Sequence, residues 1–219
     1  MPTMPLFPLN AVLFPGTPIS LYIFEERYKQ MMRECIEQEI PFGVVLLQQG
    51  NEVSAGPARI HSIGCSAQIT LVRRLNEGRM NVVAVGQERI RVGQLTYDRP
   101  YLVGDVESFP LPLDGPNRVE LSLRHLRPWV GRYVQLLRTF SEEDVDLDVD
   151  RFPDDPLVYS SLVAYLLQID PREKQPLLES ATLGLLLDRS RRLYRREVSL
   201  MQAMLDRNLP EQAEAFSAN

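Results

Sequence analysis

At 219 residues, with 44% hydrophobic and 24% charged side chains, the chain has the balance of an ordinary globular protein and the length for one large domain or two small ones. A formal net charge of −5 gives an averaged field that repels phosphate backbones and anionic headgroups, which disfavours nucleic acid and membrane surfaces as partners. No apolar run approaches the roughly 20 residues needed to span a bilayer, and Met1-Pro2-Thr3-Met4-Pro5 lacks the regions of a signal peptide, so a cytoplasmic protein is expected.

From Pro5 to about Ser108, short β-type runs alternate with turn residues. Residues 6–9, 19–23 and 42–48 read as strands. Between the last two, Phe24, Tyr28, Met31 and Cys35 recur at helical spacing and mark an amphipathic helix, with Phe24 and Tyr28 expected to anchor it on the sheet. Pro41 stops its continuation. Residues 58–61, 64–73, 79–85, 89–95 and 102–107 follow as strands, for which antiparallel pairing is the economical arrangement. Asn76-Glu77-Gly78 signals a short hairpin whose glycine supplies a positive φ.

Three prolines and a glycine from Phe109 to Pro116 separate this β-rich portion, residues 1–112, from a helical one, residues 113–219. Leu123, Leu126, Val130, Tyr133, Val134 and Leu137 give residues 119–140 helical spacing, which Pro128 is expected to bend or divide. Asp155-Pro156 announces a helix to about Gln168, Asp170-Pro171 a short one to Glu179, and a long one runs from about Thr182 to Arg207. The tail from Pro210 is expected to fray. The fold class predicted is α+β: an antiparallel β-domain with one embedded helix, followed by an all-helical bundle.

Several chemistries find no support. Lys29 and Lys174 are the only lysines, and neither follows the glycines of a phosphate-cradling loop. Cys35 and Cys65 are the only cysteines; no disulfide is expected in a reducing cytosol. His61 and Cys65 read as a strand-end histidine and a packed thiol, and His125 lies between arginines on a helix, so neither a Cys-His pair nor a zinc site is expected. Asp144, Asp146, Asp148 and Asp150 alternate with apolar residues, yet Val149 stands where a calcium loop needs glycine; a solvated acidic linker is the reading. No cofactor or metal is predicted.

Pro5-Leu6-Phe7-Pro8-Leu9-Asn10-Ala11-Val12-Leu13-Phe14-Pro15-Gly16 resembles the start of the substrate-binding domains of Lon proteases. Leu21-Tyr22-Ile23-Phe24-Glu25-Glu26-Arg27-Tyr28 looks like the version in free-standing bacterial members. Gly64-Cys65-Ser66-Ala67-Gln68-Ile69, Val85-Gly86-Gln87-Glu88-Arg89-Ile90-Arg91-Val92 and Glu173-Lys174-Gln175-Pro176-Leu177-Leu178-Glu179 are similar to later family segments. The resemblance implies a twisted, partly barrel-like β-domain of the pseudouridine-synthase-and-archaeosine-transglycosylase (PUA-like) type beside a helical bundle. Against the full proteases the chain departs, and it is expected to be a free-standing recognition domain lacking the ATPase and protease domains. Asp114-Gly115-Pro116-Asn117 is similar to the nucleophile segment of Lon proteolytic domains, but an asparagine amide cannot serve as the attacking group.

The function implied is recognition of unfolded or damaged polypeptides without turnover, or docking to a protein partner such as Lon or another protease; self-association stays open. The mechanism would be apolar contact at the junction of the two halves, with strand-edge pairing as a second mode. Phe7, Phe14 and Tyr22 on the β side, and Trp129 and Tyr133 on the helical side, are the candidate peptide-binding residues. Arg189, Arg191, Arg192, Arg195 and Arg196 form a basic run suited to an acidic partner. The alternatives are an RNA-binding module through the PUA-like fold and a hydrolase using Cys65 or Ser66.

Overall fold

The computed structural model describes residues 2–48, 59–140 and 148–217, with side chains described as far as residue 207. Among the described residues the elements are β1 (Thr3–Leu9), β2 (Pro18–Ile23), α1 (Glu26–Glu37), β3 (Phe42–Leu46), β4 (Ile63–Arg74), β5 (Met80–Thr96), β6 (Val103–Ser108), α2 (Pro116–Phe140), α3 (Pro156–Leu166), α4 (Pro171–Leu178) and α5 (Leu183–Ser217). The chain is α+β and divides into two compact units, Met1–Pro112 with Ala164–Ala181, and Leu113–Val163 with Thr182–Asn219. The segment carrying α4, which the sequence places among the later helices, groups with the sheet. Among the described residues no helix is long and apolar enough to cross a membrane.

The strands form one sheet in the order β2-β5-β4-β3-β1-β6, and β6 pairs back onto β5, so the ladder returns on itself. The sheet is mixed, which corrects the antiparallel expectation. β1 and β3 run parallel, with Leu6 opposite Gly43 and Leu9 opposite Leu46. The cause lies in the connection: β2 and α1 intervene, and a crossover through a helix delivers the next strand in the same direction. The remaining pairs are antiparallel.

The strands expected at 79–85 and 89–95 are a single 17-residue strand, β5. Gly86 does not break it. A Cβ there would stand 2.3 Å from the carbonyl oxygen of Phe14, so the glycine permits a close approach of two backbones rather than a turn. The turn Pro15-Gly16 is pinned at this point, with Gly16 N donating to Gly86 O and Gly86 N to Thr17 O. The strand expected at 58–61 reduces to a bridge between Leu47 and Ile60, residue 58 lying outside the described residues. Asn76–Gly78 makes the hairpin turn between β4 and β5, and Glu77 shares with Gly78 the positive φ, at 60° and 70°.

Strand alternation creates two apolar clusters in the sheet unit. Phe7 points to one side of β1, where Tyr28, Met31, Met32 and Cys35 of α1 pack against Phe42, Val44, Val82 and Ala84. Its ring stacks on Tyr28 with centroids 4.2 Å apart. Leu6 points the other way, to Val45, Ile90, Val92, Leu102 and Val106. Lys29 is buried, and its Nζ donates to Glu26 Oε1 at 2.7 Å and to Glu77 O at 2.8 Å, tying α1 to the hairpin.

The segment carrying α4 is held by polar contacts with the strands of the sheet. Arg89 is 4% exposed and donates to four carbonyl oxygens, those of Phe109, Pro110, Leu178 and Ser180. Gln175 Nε2 donates to Ile63 O at 2.8 Å. These bonds satisfy backbone groups that burial would otherwise leave unpaired.

In the second unit α2 packs along α5. α2 is one helix that includes Pro128. Tyr133 meets Tyr194 edge-on at 5.1 Å, and the Tyr194 hydroxyl donates to Val163 O at 2.7 Å. Asp155 caps α3, its Oδ1 accepting from the amides of Leu157 and Val158. Asp114 Oδ2 accepts from Gly184 N in the first turn of α5. α5 runs to Ser217. Of the acidic run, Asp144 and Asp146 lie outside the described residues, and Asp148 Oδ1 accepts from Asp150 N.

Candidate functional site

The aromatic candidates separate by burial. Phe7 and Phe14 are 6% and 1% exposed in the sheet unit, and Tyr133 is 2% exposed in the helical one. Rings with no free face cannot meet an incoming chain unless the core opens, which makes these three core residues rather than contact residues. Trp129 is half-buried, with the Arg195 guanidinium 6.0 Å from its ring. Tyr22 alone of the five is well exposed, at 52%.

The position of Tyr22 follows from strand parity. On β2, Leu21 and Ile23 turn inward while Ser20 and Tyr22 turn outward. Across β5, Tyr22 lies opposite Asn81 and Ser20 opposite Val83; on β4, Arg73 is opposite Asn81 and Leu71 opposite Val83. Tyr22 and Leu71 therefore share the outer face of a three-strand array. The Tyr22 ring stacks on Phe24, centroids 5.8 Å apart at 28°, and Arg79 Nη1 donates to its hydroxyl at 3.3 Å. β2 ends the strand order at this side of the sheet.

Two members of this surface escape a sequence reading. Phe24 carries helical spacing with Tyr28, yet it precedes the first turn of α1 and is 58% exposed, which corrects its expected role as an anchor. Leu71 shares strand parity with the half-buried Ile69, but a bulge between them shifts the register and turns Leu71 to solvent, at 62% exposure. The signal that could have found Phe24 is Glu25-Glu26, whose charges place the start of the helix after it.

The nucleophile candidates are sealed off. Cys65 is fully buried, its thiol pushed up to about 12 by burial and donating to Ser66 O. Ser66 Oγ donates to Glu88 O and accepts from Glu88 N, both at 3.3 Å. His61 pairs instead with Glu179, Nδ1 to Oε1 at 3.1 Å. Among the described residues no group of three or more His, Cys, Asp and Glu side chains is arranged to hold a metal. The basic run on α5 disperses around the helix: Arg196 pairs with Glu197 at 2.8 Å, Arg195 faces Trp129, and Arg192 Nε bonds Asp188 O.

A family model described as the ATP-dependent protease La (LON) substrate-binding domain matches residues 3–195. The Lon protease of Methylocella silvestris is 24% identical over 191 residues, covering 87% of this chain and 23% of that protein. Lon protease 2 of Myxococcus xanthus is 25% identical over 182 residues, covering 82% of this chain and 22% of that protein. The chain thus spans about a quarter of the length of these curated relatives. Among solved structures, the Lon N-terminal domain protein from Xanthomonas campestris matches with a TM-score of 0.63 at 24% identity, covering 86% of this chain and 96% of that one. The N-terminal domain of the Mycobacterium avium complex Lon protease matches with a TM-score of 0.63 at 17% identity, covering 90% and 98%. At these identities the two structures share the fold with this chain.

Proposed function

The chain belongs to the family of Lon substrate-binding domains, and from that premise we propose that it is a polypeptide-recognition module that makes contact through the outer face around Tyr22, Phe24 and Leu71. The observation that carries the reading is the stacked Tyr22–Phe24 pair, more than half exposed, on and just beyond the strand that ends the sheet order. Unfolded chains present exposed apolar side chains and unpaired backbone together. An aromatic pair beside a strand edge meets both, the rings by burial of apolar surface and the edge by added ladder hydrogen bonds.

Within the same reading, the return of the ladder from β6 onto β5 supports a partly barrel-like, PUA-type domain, and α2 along α5 supports a helical bundle in the second unit. We keep 112/113 as the working domain boundary. The buried Cys65 supports binding without turnover; the reading further places that binding in the cytoplasm, with hand-over of the bound chain to a protease such as Lon.

The test is fluorescence anisotropy with a permanently unfolded, S-carbamidomethylated protein. Saturable binding that weakens about tenfold in Tyr22→Ser/Phe24→Ser, equivalent to roughly 1.4 kcal/mol, is expected, with the melting temperature held. Unchanged affinity in that variant rejects this surface, and lack of binding by the parent chain rejects the polypeptide reading.

A further inference from the structure

The sheet unit holds a cleft of about 470 Å³ lined by Leu47, Gln48, Arg59, His61 and Arg172, a volume within the range of ligand-holding pockets. Local structure fixes the backbone that carries three of these side chains. Gln48 N donates to Arg59 O at 2.7 Å and His61 N to Leu46 O at 2.9 Å, so residues 59–61 run extended beside the end of β3. Ile60 packs toward the cluster of Leu6 and Val45, and alternation sends Arg59 and His61 to the opposite side. Arg172 comes from the first turn of α4.

The charge of the cleft is unusual for this chain. Acidic residues outnumber Lys and Arg by 29 to 24, yet neither the Arg59 nor the Arg172 guanidinium has an ion-pair partner among the described residues, and both residues are exposed. The carboxylate that faces His61 is already committed: Glu179 Oε1 takes His61 Nδ1 at 3.1 Å and Gln175 Nε2 at 2.9 Å. Gln175, 1% exposed, is itself held by Ile63 O, so the His61 ring is braced from behind rather than swinging free.

We propose that this cleft is a subsite for the carboxylates of an acidic polypeptide segment. The inference rests on the polypeptide-recognition reading and extends it with a chemical preference. Guanidinium groups match a carboxylate with two parallel N–H···O bonds, and their aliphatic stems, with Leu47, cover the methylenes of a glutamate side chain. The cleft is several times larger than one tetrahedral oxyanion requires and suits a short run of side chains.

The probe is a fluorescein-labelled peptide with three glutamates, set against the same peptide with glutamines and against inorganic phosphate, using the full chain. The glutamate peptide is expected to bind about tenfold more tightly than the glutamine one. Arg59→Gln/Arg172→Gln removes that preference, and each single variant removes part of it. Equal affinity for the two peptides, or a preference that survives in the double variant, overturns the proposal. So does phosphate binding as tightly as the glutamate peptide, which would make the cleft a small-oxyanion site. Both arginines are exposed, so the variants keep the fold. The two assays separate the two readings: Tyr22→Ser/Phe24→Ser weakens binding of the unfolded protein yet leaves the glutamate preference intact, whereas Arg59→Gln/Arg172→Gln removes that preference and leaves the unfolded protein bound through the Tyr22–Phe24 face.

Discussion

Arg89 on β5 donates from Nη1 to the carbonyl oxygen of Leu178 at the end of α4, at 2.7 Å. The same nitrogen reaches Ser180 O at 2.8 Å, while Nε and Nη2 take Phe109 O and Pro110 O. Its guanidinium is charged and buried with carbonyl dipoles in place of a counter-ion, and burial lowers its pKa to about 10. Arg89→Met would strand the buried carbonyls of Leu178 and Ser180 and remove the bonds to Phe109 and Pro110. A loss of roughly 3 kcal/mol in urea unfolding is expected, and Arg89→Lys, which keeps the charge but not the fork, falls between. Stability within about 0.5 kcal/mol of the parent would mean that water replaces the guanidinium.

Gly86→Ala tests the close approach of β5 to the Phe14 turn. The added Cβ would meet Phe14 O at 2.3 Å, Phe14 C at 3.0 Å and Cys65 Sγ at 3.1 Å. Two of these are backbone atoms held by the bonds at Gly16 and Thr17, so the clash cannot be relieved by a rotamer. The expected cost is about 3 kcal/mol or more, read as a fall in melting temperature. A neutral substitution would show that the Pro15-Gly16 turn is not pinned.

Both thiols should resist modification in the folded protein. Cys35 and Cys65 are 1% and 0% exposed, and burial pushes each up to about 12, far from the thiolate state that reacts. Ellman's reagent is expected to titrate neither cysteine at pH 8 until denaturant is added. Rapid native labelling of Cys65 would revive the hydrolase reading.

Asp114 links acid stability to the start of α5. The Gly184 amide, first, and then Thr182 and Arg118 hold its carboxyl below the ordinary carboxylate range. A carboxyl depressed in the folded state contributes stability that is complete above its unfolded pKa, about 3.9, and is lost as pH falls through the lower folded value. Asp114→Ala should cost about 1 kcal/mol at pH 7 and flatten the stability profile below about pH 4. Asp114→Asn keeps an acceptor and should retain most of the neutral-pH stability while losing the same acid slope. An unchanged slope in either variant, measured by urea unfolding from pH 2 to 7, would remove the link.

What the sequence revealed follows from the range over which each signal acts. The α1 face of Tyr28, Met31 and Cys35, the Asp155 cap and the Asn76–Gly78 turn are local and were readable. Gly86 misled because a glycine inside a β-run signals either a break or a backbone contact, and only the distant Phe14 turn decides which. Leu71 went unmarked because a one-residue bulge inverts parity without leaving a trace in composition. Asp114 reads as a turn residue next to Gly115-Pro116, and its second task, capping a helix that begins at Leu183, needs the fold. The pairing of Arg59 with Arg172 in one cleft is likewise a product of α4 joining the sheet unit. Among the aromatics, hydrophobicity alone could not separate the buried Phe7 from the exposed Tyr22, because the difference is one of strand parity.

The return of β6 onto β1 and β5 also sets an order of events during synthesis. β1 is made before the other strands of the sheet, yet its partners arrive late: Leu6 waits for Gly43, and Thr3 for Asp105. β5 can form its hairpin with β4 at once, across the Asn76–Gly78 turn. The carbonyls that settle Arg89 come later still, with Leu178 and Ser180. The first strand of the sheet therefore stays unmatched until β3 and β6 have been made, and its pairing is the slow, high-contact-order step for which this topology selects.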